Sequence, residues 1–145
     1  MRLWHYELLP YLPDAQFKGQ LRELVAIMHD WRDKGKTNHL LINRVMDFTP
    51  RNLTAYFLRY EDEYKKRYGK PINNLFVSEF ITFAGETKLY CVPFEGWHCY
   101  EYLRVCMANL YEKHIFGIGK SRITDEEWVR LCEGYKTITG EDYAI

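Results

Sequence analysis

Phe17-Lys18-Gly19-Gln20-Leu21-Arg22-Glu23-Leu24-Val25-Ala26-Ile27-Met28-His29-Asp30-Trp31 decides the fold. Phe17, Leu21, Leu24, Met28 and Trp31 recur at steps of four, three, four and three residues, the spacing that puts large apolar side chains on one stripe of an α-helix. At ~100° per residue Glu23 falls roughly 240° round from Phe17, on the far side of that helix. Ala15, Gly19 and Ala26 lie near it and Arg22 stands at its edge. The reading is of a carboxylate and a guanidinium on a face kept bare by small residues, where a ligand can approach the backbone.

The rest of the chain frames this helix. Asp14, after Pro13, is its expected N-cap, and Gly35 its C-terminal stop. Residues 1–13 read as an irregular entry segment, because Pro10 and Pro13 exclude a continuous helix. A basic loop follows, with Lys34, Lys36 and Arg44 around Thr37-Asn38-His39, offering phosphate contacts ahead of a short helix that ends before Thr49. The second helix is capped by Thr49, has Pro50 in its first turn and ends at Gly69-Lys70-Pro71. It buries Leu53, Tyr56, Phe57, Tyr60 and Tyr64, and its outer face runs from Glu61, Asp62 and Glu63 to Lys65, Lys66 and Arg67, in the sense the helix dipole favours. Residues 76–92 read either as a short β-hairpin or as a long ordered loop. A third helix is expected from about Gly96 to His114, with Trp97 and Tyr100 read as core. Phe116-Gly117-Ile118-Gly119 forms a turn, and the capping box Thr124-Asp125-Glu126-Glu127 opens a fourth helix carrying Trp128, Leu131 and Tyr135. The expected fold is mainly α: a compact single-domain bundle of three to four helices over residues 1–145.

The chain is 47% apolar and 17% aromatic over 145 residues, enough for a real core and too much for a disordered segment. No apolar run approaches the roughly 18–20 residues of a membrane span, and the opening Met1-Arg2-Leu3-Trp4-His5-Tyr6-Glu7 lacks the apolar centre of a signal peptide. A soluble cytoplasmic monomer is expected. Cys91, Cys99, Cys106 and Cys132 lack metal-ligand spacing and read as ordinary reduced thiols, so no metal or cofactor is expected. The net charge is zero, yet residues 1–70 carry thirteen Lys/Arg against nine Asp/Glu, and residues 71–145 seven against eleven. A nucleic-acid face is therefore expected in the first half.

Arg2 is too large to favour methionine removal, so the free α-amine is expected on Met1. Such an amine titrates at about 7.7–8.0, leaving an appreciable neutral, nucleophilic fraction at cellular pH. Taken alone, the terminus also reads as an idle free end, and Arg22–Glu23 as a solvated pair. Three blocks join them. Met1-Arg2-Leu3-Trp4-His5, with Leu9-Pro10, Leu12-Pro13 and Gly19-Gln20-x-Arg22-Glu23, resembles the pyrimidine-dimer DNA glycosylases of the endonuclease V type, especially their short bacterial and viral relatives. Phe57-x-Arg59-Tyr60 with Arg67-Tyr68-Gly69, and Val92-Pro93-x-Glu95, extend the resemblance to about residue 114; residues 115–145 lie outside it.

The resemblance implies a bifunctional repair enzyme acting on damaged double-stranded DNA. It would cleave a glycosidic bond and then nick the abasic strand by β-elimination, through a Schiff base on the N-terminal amine. It assigns Met1 as nucleophile, Glu23 as acid/base and Arg22 as a contact to the DNA backbone, with Arg2 beside the nucleophile. Lys18, Lys34, Lys36 and Arg44 complete the expected DNA contacts. The family's histidine early in the first helix is matched by Gln16 at best. The alternatives are a non-catalytic module binding DNA or protein on the same fold, and a carbonyl-directed small-molecule enzyme using the same amine and acid.

Overall fold

The computed structural model describes residues 2–36, 42–87 and 91–145. Five α-helices carry the architecture: α1 (Asp14–Lys34), α2 (Pro50–Tyr68), α3 (Leu75–Ala84), α4 (Tyr100–Phe116) and α5 (Asp125–Thr139). Short 3-10 helices occupy Tyr6–Tyr11, Ile42–Asp47 and Gly119–Ser121, and no strand occurs among the described residues. The mainly α expectation holds, with one more α-helix than foreseen.

That extra helix is α3, which stands where a hairpin was offered over residues 76–92. Asn74 caps it, its side chain accepting from the Val77 amide at 3.2 Å. Val77 and Phe80, three residues apart, point into the core while Leu75, Phe76 and Phe83 face outward. The segment carries large apolar residues on both faces, so no clear polar face marks it as a helix, and its aromatic and β-branched content reads as strand. Residues 88–90 of the second expected strand, Met1, and Thr37-Asn38-His39 of the basic loop lie outside the described residues.

Elsewhere the end signals act as the sequence indicates. Thr49 and Pro50 open α2, and Thr124 and Glu127 form the reciprocal capping box of α5. Gly35 and Gly69 close α1 and α2 with φ near +70°, a conformation glycine adopts without the Cβ penalty. Asp14 differs from expectation: the cap position of α1 is Pro13, and Asp14 is its first residue. There it pairs with Lys18 at 3.0 Å and accepts from the Tyr68 hydroxyl. The entry segment is more ordered than expected, since Tyr6–Tyr11 winds as a 3-10 helix around Pro10.

The core forms around that entry segment. Phe17 stacks on Tyr60 at 4.4 Å between ring centroids, and the Tyr60 hydroxyl donates to the Phe17 carbonyl at 2.6 Å. Arg67 lies over the Phe17 ring, pairs with Glu63 at 3.0 Å and donates to the carbonyls of Leu9, Pro10 and Leu12. So the basic end of α2 is partly helix chemistry, as read, and partly a clamp on the 3-10 helix. On the other side α5 presents Gly134 to Tyr11; a Cβ there would meet the ring at 2.4 Å. The third expected helix starts four residues late, at Tyr100. Trp97 is core, whereas Tyr100 is half exposed and donates to the Ile138 carbonyl at 3.0 Å.

Candidate active site

The buried arc of α1 is wider than its apolar stripe. Phe17, Leu24, Ile27 and Met28 are buried, and so are Gln16 and Gln20; Leu21 and Trp31 only flank the core. The two glutamines rotate the arc's centre by roughly 40° toward Glu23, so that Glu23 lies at its margin rather than on a bare far side. The reason is the chain's own opening segment, which packs along this flank.

Arg2, Leu3 and Trp4 are fastened there through their backbone groups. The Arg2 amide donates to Glu23 Oε2 at 2.9 Å. Gln20 Nε2 donates to the Arg2 carbonyl at 2.8 Å, and Gln20 Oε1 accepts from the Trp4 amide at 2.8 Å. One buried side-chain amide thus pairs like a neighbouring β-strand, satisfying groups that burial would otherwise leave unpaired. The Tyr56 hydroxyl donates to the Trp4 carbonyl at 2.6 Å, and Tyr102 donates to that of Leu3. His5 Nε2 meets the His98 carbonyl at 3.0 Å, while His98 Nδ1 accepts from the Tyr6 amide at 3.2 Å.

The wall behind Glu23 is neutral. Burial pushes the Tyr56 and Tyr102 phenols up, so both keep their protons. Burial also drives His98 well below its usual range and lowers His5 to about 4, against a weaker opposing effect of its bond to the His98 carbonyl. Burial raises Cys106 to about 11. A carboxylate backed by such groups interacts more strongly with a cation than one in water would. Among the described residues Cys91, Cys99, Cys106 and Cys132 form no disulfide, and no three His, Cys, Asp or Glu side chains converge as a metal site requires.

In front of Glu23 opens a cavity of about 800 Å³, lined by Arg2, Trp4, Asp14, Ala15, Gln16, Lys18, Gly19, Gln20, Arg22, Glu23, Lys113, Lys120 and Ser121. Five cationic side chains face two carboxylates there, a setting that attracts a polyanion. Arg2 lies 5.0 Å over the Trp4 ring. The expected residues Arg2, Lys18, Arg22 and Glu23 are therefore brought together, across a surface kept shallow by Ala15 and Gly19. Lys34, Lys36 and Arg44 do not line the cavity. Lys34 sits roughly 16 Å along α1 from Glu23 by helix rise and pairs with Asp30 at 3.6 Å, and Arg44 pairs with Asp47 at 3.9 Å.

Two groups of lining residues have roles that sequence reading did not give. Gln16, named only as the counterpart of the family's histidine, and Gln20, quoted only within a motif, were legible in principle as packing partners, since Gln16, Gln20 and Glu23 step by four and three beside the apolar stripe. Lys113 from α4 and Lys120 and Ser121 from the last 3-10 helix carry no such signal. They come from the acidic half of the chain, so the cationic cavity is not built from the first half alone. Gln16 ties them to α1, its Nε2 donating to the Ser121 carbonyl at 2.9 Å.

Fold and site together define an all-α protein with a cationic cavity arranged around one glutamate, suited to a phosphate-bearing strand. The family model for pyrimidine dimer DNA glycosylase matches residues 1–75, just over half of the chain, and the chain belongs to that family. The matched part contains the opening segment, α1 and α2. No curated protein and no solved structure matches the chain. The family is one of DNA glycosylases, so DNA is its substrate class. No helix is long and apolar enough to cross a membrane among the described residues.

Proposed function

We propose that this protein is a DNA-repair glycosylase with abasic-site lyase activity, acting on damaged double-stranded DNA through an imine at the Met1 amine with Glu23 as acid/base. The observation that supports this reading is the 2.9 Å bond between Glu23 Oε2 and the Arg2 amide. The nitrogen that Glu23 holds is joined to the Met1 amine by only three covalent bonds, a span of at most about 3.7 Å. That short covalent tether is what supports assigning the amine and the carboxylate to one reaction.

The chemistry balances without a redox step. The neutral amine attacks C1′ of the sugar; the C1′–N bond breaks, and its electron pair leaves with the base, which takes up a proton. Opening of the sugar ring sends the C1′–O4′ pair to O4′, which is protonated, leaving an iminium between C1′ and the amine nitrogen. Glu23 stabilises this cation and removes a C2′ proton, whose electrons expel the 3′-phosphate. Water then hydrolyses the imine and restores the amine. A fixed carboxylate in a cavity with a neutral back wall is well suited to the cationic stage, and Arg2, Lys18, Arg22, Lys113 and Lys120 to the flanking phosphates. Attack at C1′ also requires the nucleotide to leave the stack, which a cavity of this size admits.

Borohydride added to the protein and an abasic duplex is expected to leave a covalent protein–DNA adduct. Acetylating the terminus abolishes it, and Glu23→Gln abolishes strand nicking. If the acetylated protein traps as well as the free one, the nucleophile lies elsewhere. No adduct, with DNA binding that survives Glu23→Gln, would leave only a binding module.

A further inference from the structure

Between Lys113 and Lys120, both on the cavity wall, the chain exposes two large apolar side chains, Phe116 at 80% and Ile118 at 84%. Exposure of that degree on a water-facing turn has no structural use within this fold. The turn is nevertheless held rigidly. The Lys113 carbonyl accepts from both the Gly117 amide (3.1 Å) and the Ile123 amide (3.3 Å), closing the loop at its base. A Cβ on Gly117 would lie 2.1 Å from that carbonyl oxygen, so only glycine admits the crossing. Ser121 Oγ donates to the Ile118 carbonyl at 3.1 Å. Gln16 then bolts the Ser121 carbonyl to α1, and its own Oε1 is buried at the cavity with no partner among the described residues. Gln16 stands seven residues before Glu23, roughly 10 Å along the helix axis.

We propose that Phe116 and Ile118 form an apolar wedge that parts a base step of the duplex whose strand occupies the cavity. This rests on the DNA-repair reading above. The occupant is set by charge: the wedge stands in the chain between Lys113 and Lys120, which line one cavity with Arg2, Lys18 and Arg22, a surface that collects phosphates rather than an apolar partner. Apolar side chains inserted between bases unstack and kink a duplex, and a kink near the target nucleotide lowers the cost of extruding it. The lysines alone grip the backbone without distorting it.

The test uses a duplex carrying a tetrahydrofuran abasic analogue, with 2-aminopurine placed in turn at each of the four positions on either side. Wild-type protein is expected to raise the fluorescence several-fold at one of these positions. In F116A/I118A that rise disappears and affinity falls roughly tenfold, as lost base contacts predict. The dependence of affinity on salt stays the same, because no phosphate contact is removed. Both side chains are exposed, so the variant's thermal midpoint should match the wild type. An equal fluorescence rise in both proteins overturns the wedge, as does a wild-type dimer that the variant cannot form, which would make the pair a self-contact. Borohydride trapping on a single-stranded abasic oligonucleotide, which has no stack to part, keeps the readings separate. Equal trapping by both proteins with a fluorescence difference on duplex supports both readings. If neither protein traps on this oligonucleotide or on the abasic duplex, the catalytic reading falls, while the fluorescence comparison still decides the wedge.

Discussion

Gln20→Glu changes a single group where the opening segment is fastened to α1. The wild-type amide accepts from the Trp4 nitrogen and donates to the Arg2 carbonyl, each at 2.8 Å. A carboxylate keeps the first bond and cannot make the second, so an oxygen then faces the Arg2 carbonyl. Gln20 is 1% exposed, and a buried carbonyl left unpaired costs about 1–3 kcal/mol. The new charge also lies near Glu23, because the replaced nitrogen is 3.5 Å from Oε2. At an effective dielectric of about 20, two charges that close repel by about 5 kcal/mol, so the pair holds a proton well into the neutral range. The variant is expected to lose about 2–4 kcal/mol in urea unfolding at pH 7.5, and its deficit against wild type should shrink as the pH falls toward 5.5. Its borohydride trapping should drop in parallel, with the residual activity moved to a different pH optimum. A variant within about 0.5 kcal/mol of wild type, trapping at an unchanged rate, would refute the claim that this amide holds the amino-terminal segment against Glu23.

Three further outcomes follow from the structure. Folding keeps His5 neutral down to about 4 and holds His98 neutral well below its usual range, while in the unfolded chain both take protons from about pH 6.5 downward. Stability is therefore full above about pH 7 and lost as the pH falls toward 4, by about 3 kcal/mol for His5 alone; urea midpoints that stay flat from pH 7 to 4.5 would contradict this. Lys120→Ala should lower the slope of log affinity against log salt by about one unit, and Lys34→Ala should leave it unchanged, a contrast that filter binding at several salt concentrations reads directly. Gly134→Ala should destabilise by about 1–3 kcal/mol despite alanine's better helix propensity, because the new methyl meets the Tyr11 ring; in a Tyr11→Ala background the same change should become neutral or stabilising on thermal melts.

Local signals carried the fold far, and their failures have physical causes. Thr49-Pro50, Gly69 and the Thr124/Glu127 box fix helix ends through bonds made within a few residues, so they can be read without knowing the fold. Leu75–Ala84 could not be read this way, since Phe76 and Phe83 stay exposed and blur its periodicity. At the site, Glu23, Arg22, Lys18 and Arg2 were legible because one helix and one short segment place them. Lys113 and Lys120 were not, because their position depends on how α4 and the following turn pack on α1. Lys34 and Arg44 stand outside the cavity and pair with carboxylates four and three residues away, at 30 and 47.

The opening segment depends on partners made much later in the chain, and this sets an order of events during synthesis. Arg2, Leu3 and Trp4 leave the ribosome first, yet Tyr102 and His98, which secure Leu3 and Tyr6, follow roughly a hundred residues later. At about 5–20 residues per second that interval is on the order of 5–20 s. Throughout it the Leu3 carbonyl and the Tyr6 amide lack the side chains that bond them in the folded protein. Water holds those groups in the meantime, so the opening segment settles only once the start of α4 has been made.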